Sequence, residues 1–194
     1  MDSSGLKVYG EGEWKVRQHG CSKRRTWRKI HLSVDAASGE VQAAMLSTAG
    51  VSDAEMVAPM LAQSEEPIER VTAEGAYDQR PVYASVQARA PDAEIVIPPR
   101  RNARIWQHGN IQAPPQPRDV TLRFIRAHGR PKWKEDSGYH QRSLAETAVF
   151  RFKTIFGDQL STRLLATQAT QFGARCRALN IMTHLGMPDS YKVD

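Results

Sequence analysis

Hydrophobic and polar positions alternate early in the chain and give way later to a helical period. Ile30, Leu32 and Val34 alternate with polar residues before the glycine-containing stretch AASGE. Val41 then resumes the same alternation. Alternation with a period of two is typical of strands, and a short turn that contains glycine joins neighbouring strands. The stretch 28–48 therefore predicts a β-hairpin.

The middle of the chain predicts helices and strands in turn. The predicted elements are a helix over 51–63, a short strand within 68–78 that ends at Gly75, a helix over 81–90, a strand over 94–99 and a helix over 118–129. Ser52 with Glu55 three residues later matches a capping box at the start of the first helix. Residues 100–117 follow neither period and contain several helix breakers, which predicts a basic loop or insertion.

Two further helices are predicted over 138–157 and 161–186, the second with Gly173 as a weak point and Gly186 as its end. Antiparallel strands, then alternating strands and helices, then helices alone, indicate the α/β class. We expect a mixed sheet flanked by helices, in one domain that spans residues 1–194.

One face of the predicted helix over 138–157 carries four polar side chains. Tyr139, Arg142, Glu146 and Lys153 are separated by three, four and seven residues. At about 100° per residue these spacings place all four within an arc of roughly 60°. Nearly opposite lies a predicted apolar stripe of Leu144, Ala148, Phe152 and Ile155. The spacing fits two interpretations, a solvated surface with i,i+3 and i,i+4 pairs or a polar face that lines a cleft.

Charge and cysteine content narrow the class of protein. The chain of 194 residues has a net charge of +6, which favours polyanionic partners. Cys21 and Cys176 are far apart, so neither a disulfide framework nor a cysteine zinc site is indicated, and a reducing compartment fits best. The sequence shows no secretory signal and no apolar run of membrane-spanning length. We expect a cytoplasmic protein without a membrane partner.

Three carboxylates stand at informative positions: Asp2 near the start, Glu74 after a predicted strand, and Glu146 on the polar helix face. Converging carboxylates offer the hard oxygen ligands that suit Mg²⁺ or Mn²⁺. Two such ions about 3.5–4 Å apart can support phosphodiester cleavage or transfer. The alternative for each acid taken alone is an ordinary surface position, because surface Asp and Glu are common.

The spacing Tyr139-x2-Arg142-x3-Glu146-x6-Lys153 resembles the Tyr-Arg-Glu-Lys signature of bacterial insertion-sequence transposases of the DDE class. Other segments resemble the insertion-sequence-five group of that family, and together they cover nearly the whole chain. These segments are the opening stretch from DSSGLKV to HLSVD (2–35), GVSDAEMV (50–57), GAYD (75–78), VIPPRRNA (96–103) and the closing stretch from RFKTIFGDQL to ALNIMTHLGMPDS (151–190).

The resemblance implies a ribonuclease-H-like catalytic core that cuts the ends of a mobile element and joins them to target DNA. It implies Mg²⁺ or Mn²⁺ as the cofactor, in a two-metal site. The catalytic and metal-binding residues implied are Asp2, Glu74 and Glu146. The residues implied to hold DNA near the cleaved phosphate are Tyr139, Arg142 and Lys153.

The sequence departs from the family pattern at two places. Glu74 stands where the family has Asp, which moves the carboxylate outward by one methylene. Relatives carry more chain before the first catalytic Asp, whereas only Met1 precedes Asp2, so we expect the first strand to lack its start. This start is expected of a C-terminal fragment, a truncated reading frame or the second of two overlapping frames. The expected protein partners are a second copy of the chain, as a homodimer, or an N-terminal transposase segment.

Two basic segments are candidate DNA contacts. The first, over 13–31, interleaves Lys23, Arg24, Arg25 and Arg28 with tryptophans, and cations with indoles can bind phosphates and bases. The second contains Arg100, Arg101 and Arg104 after a predicted strand. A solvated hairpin is the alternative for the first segment.

Three functions are open at this point. The first is a metal-dependent transposase domain that performs phosphoryl transfer on DNA. The second is a catalytically inactive, truncated transposase remnant that only binds DNA or intact transposase, which Glu74 and the short start favour. The third is a general nuclease on the same fold, which would cut DNA without preference for element ends.

Overall fold

The computed structural model describes residues 1–8, 27–107, 112 and 114–186. The strands are β1 (Asp2–Val8), β2 (Trp27–Val34), β3 (Val41–Thr48), β4 (Arg70–Thr72), β5 (Glu94–Val96) and β6 (Gln159–Leu160). The α-helices are α1 (Val57–Leu61), α2 (Arg80–Arg89), α3 (Pro117–His128), α4 (Arg130–Asp136), α5 (Ser143–Phe156) and α6 (Leu165–His184). Single 3₁₀ turns cover Ala54–Met56, Gly75–Tyr77 and Tyr139–Arg142. This architecture confirms the predicted α/β class.

The described strands form a mixed arrangement. A four-stranded sheet has the order β3-β2-β1-β6, in which β1 is antiparallel to β2 and parallel to β6. The parallel strands β4 and β5 form a second, two-stranded sheet. The backbone nitrogen of Met1 donates to the carbonyl of Thr72 at 2.7 Å, so the start of β1 meets the end of β4. Catalytic candidates on β1 and after β4 are thereby neighbours.

Two hydrophobic clusters hold the layers together. On one face of the four-stranded sheet, Leu6, Ile30 and Leu32 pack with Phe152 of α5 and Phe172 of α6. Burial of these apolar side chains supplies the main stabilisation of this layer. The other cluster joins α1, α2 and the β4–β5 pair, and its large buried members include Val57, Met60, Tyr77, Tyr83, Val86 and Ile97.

The hairpin, the helix order and the capping box are confirmed. Strands β2 and β3 pair antiparallel through a turn in which Gly39 has a φ of 75°. The Ser52 hydroxyl and backbone N–H both donate to Glu55 Oε1, at 2.6 and 3.0 Å. The helix over 161–186 begins later than predicted, at Leu165, and it continues through Gly173. It ends before Gly186, which has a φ of 78°.

Several local predictions need correction, among them the strand predicted to end at Gly75, which ends at Thr72. The expected single helix over 138–157 is an α-helix only from Ser143, because Gly138 has a φ of 58° and a 3₁₀ turn follows it. Helix α4 and strand β6 were not predicted, since seven and two residues are too short to show a period. The predicted apolar stripe is confirmed for Ala148 and Phe152, which are buried. Ile155 is 43% exposed, and Val149, which was not predicted to belong to the stripe, is buried.

None of the helices in the described ranges has both the length and the apolar character needed to cross a membrane.

Candidate functional site

The three candidate carboxylates come from three separate elements. Asp2 is the first residue of β1 and pairs in register with Leu32 of the neighbouring strand. Glu74 follows β4 by two residues and precedes the 3₁₀ turn that begins at Gly75. Glu146 lies in the first turn of α5. The sequence separates these residues widely, and the contact between β1 and β4 brings two of them to one edge.

Arg142 connects the carboxylates. Its guanidinium donates to Glu146 Oε1 at 2.6 Å, and it lies 3.8 Å from Glu74 Oε2. Its charge also acts on Asp2. Arg142 is positioned by the 3₁₀ turn that precedes α5, one turn before Glu146. The guanidinium is therefore a cation placed among three acids from β1, the β4 end and α5.

Burial raises the pKa of Asp2 above its ordinary value, and the negative charge of Glu146 raises it further. The backbone N–H of Ser3 and the charge of Arg142 act in the opposite direction. A carboxylate that is partly desolvated beside another acid gains most from a bound cation, because the cation offsets both effects. Asp2 thus lies where the local electrostatics favour a positive ligand.

The other signature side chains lie beside the acids. The ring of Tyr139 lies 5.7 Å from the Arg142 guanidinium and 5.5 Å from the Trp133 ring. Partial burial raises the pKa of Tyr139, and the charges of Glu74 and Glu146 contribute, while Arg142 opposes them. Lys153 is two turns further along α5 and donates to the Ser4 hydroxyl of β1 at 2.6 Å. Tyr139 and Arg142 therefore lie beside the acids on the 3₁₀ turn, and Lys153 on α5 reaches β1 two residues from Asp2.

The acid cluster is open to solvent. The side chains of Glu74 and Glu146 are 41% and 48% exposed. A groove of about 480 Å³ runs next to the cluster and is lined by Met1, Arg70 and Arg142, but by none of the three carboxylates. An exposed cluster of acids and cations suits a large substrate that lies across the surface better than a small molecule held in a cavity.

The donor chemistry of the site fits a divalent cation. Carboxylate oxygens are the ligands that Mg²⁺ and Mn²⁺ prefer, and the guanidinium of Arg142 already occupies a cationic position between two of them. In the described ranges, no three His, Cys, Asp or Glu side chains stand close enough together to hold a metal ion as they are. The predicted two-metal arrangement therefore stays a prediction.

The basic segments have different outcomes. Lys23, Arg24 and Arg25 lie outside the described residues. Arg28 donates to Gln168 of α6 at 2.7 Å, and it pairs with Leu6, four positions along the strand from the partner of Asp2, or roughly 14 Å. Arg28 is thus remote from the acids. Arg100 and Arg101 are exposed on the loop that follows β5.

Sequence reasoning missed a buried ion-pair network next to that loop. Asp78 accepts hydrogen bonds from Arg118 Nε at 2.5 Å and from the backbone N–H of Arg100 at 3.0 Å. Asp78 is therefore paired with Arg118 and the loop backbone. A signal existed in the sequence: Arg118 stands four residues before Leu122, on the face of α3 that is buried.

Comparison with known families identifies the family of the chain. The family model described as Transposase DDE domain matches residues 1–181. No solved structure matches the chain. The family generally acts with divalent metals, and the mixed sheet flanked by helices is consistent with its ribonuclease-H-like fold. With the match extending over more than nine-tenths of its length, the chain belongs to the transposase DDE domain family, the catalytic domains of DNA transposition.

Proposed function

We propose that this chain is the catalytic domain of a bacterial insertion-sequence transposase of the insertion-sequence-five group. In this proposal it cleaves the ends of the element and transfers them to target DNA in a metal-dependent reaction. The observation that carries the proposal is the position of Arg142, which pairs with both Glu74 and Glu146 beside Asp2. Residues from three separate parts of the sequence thereby form one charged site.

Asp2, Glu74 and Glu146 are the residues that would hold Mg²⁺ or Mn²⁺. When bound, such ions activate the attacking oxygen and stabilise the leaving oxygen of a phosphodiester. The protein positions these acids on elements fixed by packing, since β1 and α5 share the cluster that contains Leu6 and Phe152. Rigid support of this kind is what keeps ligands in a productive arrangement.

Arg142, Lys153 and Tyr139 are the residues we assign to the DNA backbone near the reacting phosphate. An arginine presents five N–H donors, and Arg142 uses part of them on Glu74 and Glu146, so donors remain for phosphate oxygens. The Lys153 ammonium adds a second cation on the same side of α5. The partners in this proposal are the element ends, the target DNA, and a second copy of the chain or an N-terminal transposase segment.

A cleavage and strand-transfer assay with Mg²⁺ or Mn²⁺, on DNA that carries the element ends, tests the proposal. We expect Glu146→Gln to reduce the product to background, and Arg142→Gln to lower the rate about 10–100-fold, as is usual for a residue that orients metal ligands. Glu135→Gln, an exposed charge on α4, is the matched control and should leave the rate unchanged. Product formation by Glu146→Gln equal to that of the native chain would overturn the assignment.

The second candidate is an inactive remnant that only binds DNA or intact transposase. Glu74 favours it, because the added methylene moves a carboxylate in a site where Mg²⁺ demands near-ideal geometry. Glu74→Asp separates the two candidates: activity that appears only in this variant identifies the native chain as inactive. Cutting of any DNA, with no preference for element ends, would instead identify a general nuclease.

A further inference from the structure

The loop over 99–107 is held against α3 and α4 by a row of arginines. Each of four arginines donates to a different backbone carbonyl of this loop. The pairs are Arg118 to Arg104 at 2.8 Å, Arg123 to Gln107 at 3.4 Å, Arg126 to Ala103 at 3.3 Å and Arg130 to Pro99 at 2.6 Å. Since the loop has no helix or strand of its own over these residues, its carbonyls depend on such partners.

A buried network fixes the same loop from beneath. Arg118 is 4% exposed and donates two hydrogen bonds to Asp78. Asp119 is fully buried and accepts hydrogen bonds from the backbone N–H groups of Trp106 and Gln107, at 2.9 and 2.8 Å. The Arg118 guanidinium also lies 4.0 Å from the centre of the Trp106 ring. The loop is therefore attached at both ends and pre-organised.

The outer face of this assembly carries exposed arginines. They are Arg100, Arg101 and Arg104 on the loop, and Arg123 and Arg126 on α3. None of them forms an ion pair with a carboxylate in the described ranges, whereas buried Arg118 does. The hydrogen bonds of Arg123 and Arg126 to loop carbonyls use only part of the five donors that each guanidinium presents. We name these five residues the loop–α3 surface.

We propose that the loop–α3 surface binds the phosphate backbone of duplex DNA, and that Asp78 and Arg118 are positioning residues for it. Closely spaced guanidinium groups on a rigid support match a row of phosphates, and they carry no base specificity. Proteins that prefer single strands stack bases on exposed aromatic rings. Here the Trp106 ring is covered by Arg118 and contacted edge-on by Tyr83, which favours the duplex.

The choice of DNA rests on the proposed function, but in the described ranges Arg123 and Arg126 form no hydrogen bond or ion pair with Asp2, Glu74 or Glu146. Arg123 and Arg126 do not belong to the site around Arg142, which is built on β1, the β4 end and α5. Binding at the loop–α3 surface can therefore be measured in a protein that carries Glu146→Gln. In that background, a failure of the cleavage proposal leaves the binding result unaffected.

The first test compares two double substitutions that change the net charge equally. Arg123→Gln with Arg126→Gln removes two cations of the loop–α3 surface, and Arg163→Gln with Arg177→Gln removes two exposed arginines elsewhere. Fluorescence anisotropy would give the Kd for a short duplex of scrambled sequence over a range of salt concentrations. We expect the slope of log affinity against log salt to fall by about 1.8 for the first pair, at about 0.9 for each lost phosphate contact. The second pair should change it little.

Equal slopes for the two double variants would overturn the proposal. Tighter binding of an RNA duplex than of a DNA duplex of the same length would overturn the assignment to DNA. Because all four positions are exposed, we expect both double variants to fold, and circular dichroism would verify this.

The second test isolates the positioning role. Asp78→Asn and Asp78→Ala both remove one negative charge, so electrostatics alone predicts slightly tighter DNA binding for both. The Asn variant retains an acceptor for the backbone N–H of Arg100, and the Ala variant does not. The amide nitrogen of the Asn variant faces Arg118 in place of one acceptor oxygen, so part of the positioning is lost there too. We therefore expect the salt slope to fall less with Asp78→Asn than with Asp78→Ala. Identical slopes would contradict the positioning role, and if Asp78→Ala does not fold, Arg118→Lys, which loses the paired hydrogen bonds to Asp78, takes its place.

Discussion

Two clusters of arginine and carboxylate lie in this molecule, and they differ in burial and in pairing. In the cluster of Asp78, Arg118 and Asp119, every member is at most 6% exposed, and the carboxylates accept hydrogen bonds from side-chain and backbone donors. In the cluster around Arg142, the side chains of Glu74 and Glu146 are almost half exposed and share one guanidinium.

The difference shows that arginine and carboxylate side chains can either stabilise the fold or remain available to a ligand. A charge that is removed from water must be fully paired, because an unpaired buried charge is strongly destabilising. An exposed carboxylate has no such requirement and keeps lone pairs for a ligand. The buried cluster therefore holds the chain in place, and the carboxylates around Arg142 stay open to solvent. Substitutions in the buried cluster should lower the free energy of unfolding, whereas substitutions in the exposed cluster should leave it nearly unchanged.

The largest contrast is expected from removing one carboxylate of each cluster. Asp78→Ala leaves Arg118 buried beside Asp119 alone, and we expect the free energy of unfolding to fall by about 3–5 kcal/mol. Glu74→Ala should change it by no more than about 0.5 kcal/mol, as is usual for exposed positions. Urea denaturation would measure both. A decrease in the free energy of unfolding for Glu74→Ala as large as that for Asp78→Ala would contradict the distinction between a structural and an exposed cluster.

An effect of intermediate size on stability is expected at acidic pH from His31, a buried side chain with a partner for one ring nitrogen only. Its Nε2 lies 2.8 Å from the Ser47 hydroxyl, while its Nδ1 is 3.6 Å from Asp53, too far for a hydrogen bond. Burial lowers the pKa of His31, Lys29 lowers it further, and Asp53 opposes them. The unfolded chain then takes up the proton first as the pH falls below about 6.5.

Stability from neutral His31 is consequently complete above its ordinary pKa and declines as the pH falls towards the lowered pKa of the folded state. We expect the Tm of the native chain to decrease between neutral and mildly acidic pH, and the decrease to be smaller in His31→Asn. His128→Gln, at an exposed histidine, is the control and should follow the native chain. An unchanged decrease in His31→Asn would show that other groups cause it.

At Asp2 we expect a smaller effect, in which removal of the side-chain charge increases stability. Its raised pKa means that the folded protein disfavours the ionised carboxylate, so at neutral pH the charge lowers stability. Asp2→Asn removes the charge at nearly the same size, and we expect a modest increase in Tm at neutral pH in the absence of divalent ions. The increase should shrink as the pH falls through the raised pKa of folded Asp2, and it should vanish below the ordinary pKa of an aspartate. A lower Tm for Asp2→Asn would place Asp2 with the structural carboxylates.

The smallest effect is expected at the edge of the exposed cluster. Ser4→Ala removes the hydroxyl that accepts from Lys153, and a partly exposed hydrogen bond of this kind contributes about 0.5–1.5 kcal/mol at most. Lys153→Met removes the cation and keeps the aliphatic stem. We expect both variants to be nearly as stable as the native chain in urea, with only Lys153→Met binding DNA more weakly. Equal DNA binding by the two variants would remove Lys153 from the phosphate contacts.

The sequence by itself determined most of the secondary structure. The alternation of Ile30, Leu32 and Val34 specified the hairpin, and the reciprocal chemistry of Ser52 and Glu55 marked a helix start. These features depend on neighbours in the chain, so local patterns reveal them. The spacing of Arg142 and Glu146 likewise indicated side chains on one face, and the structure has them 2.6 Å apart.

Only the tertiary structure decided which distant charges meet. Met1 beside Thr72 joins β1 to β4, and this contact places Asp2 and Glu74 at one edge. No local pattern specifies it, since it joins residues 71 positions apart in the sequence. The same holds for Asp78 and Arg118, 40 residues apart. The core excludes water from Asp78 and Arg118, so these two charges must stay paired with each other. The acids around Arg142 remain in contact with water.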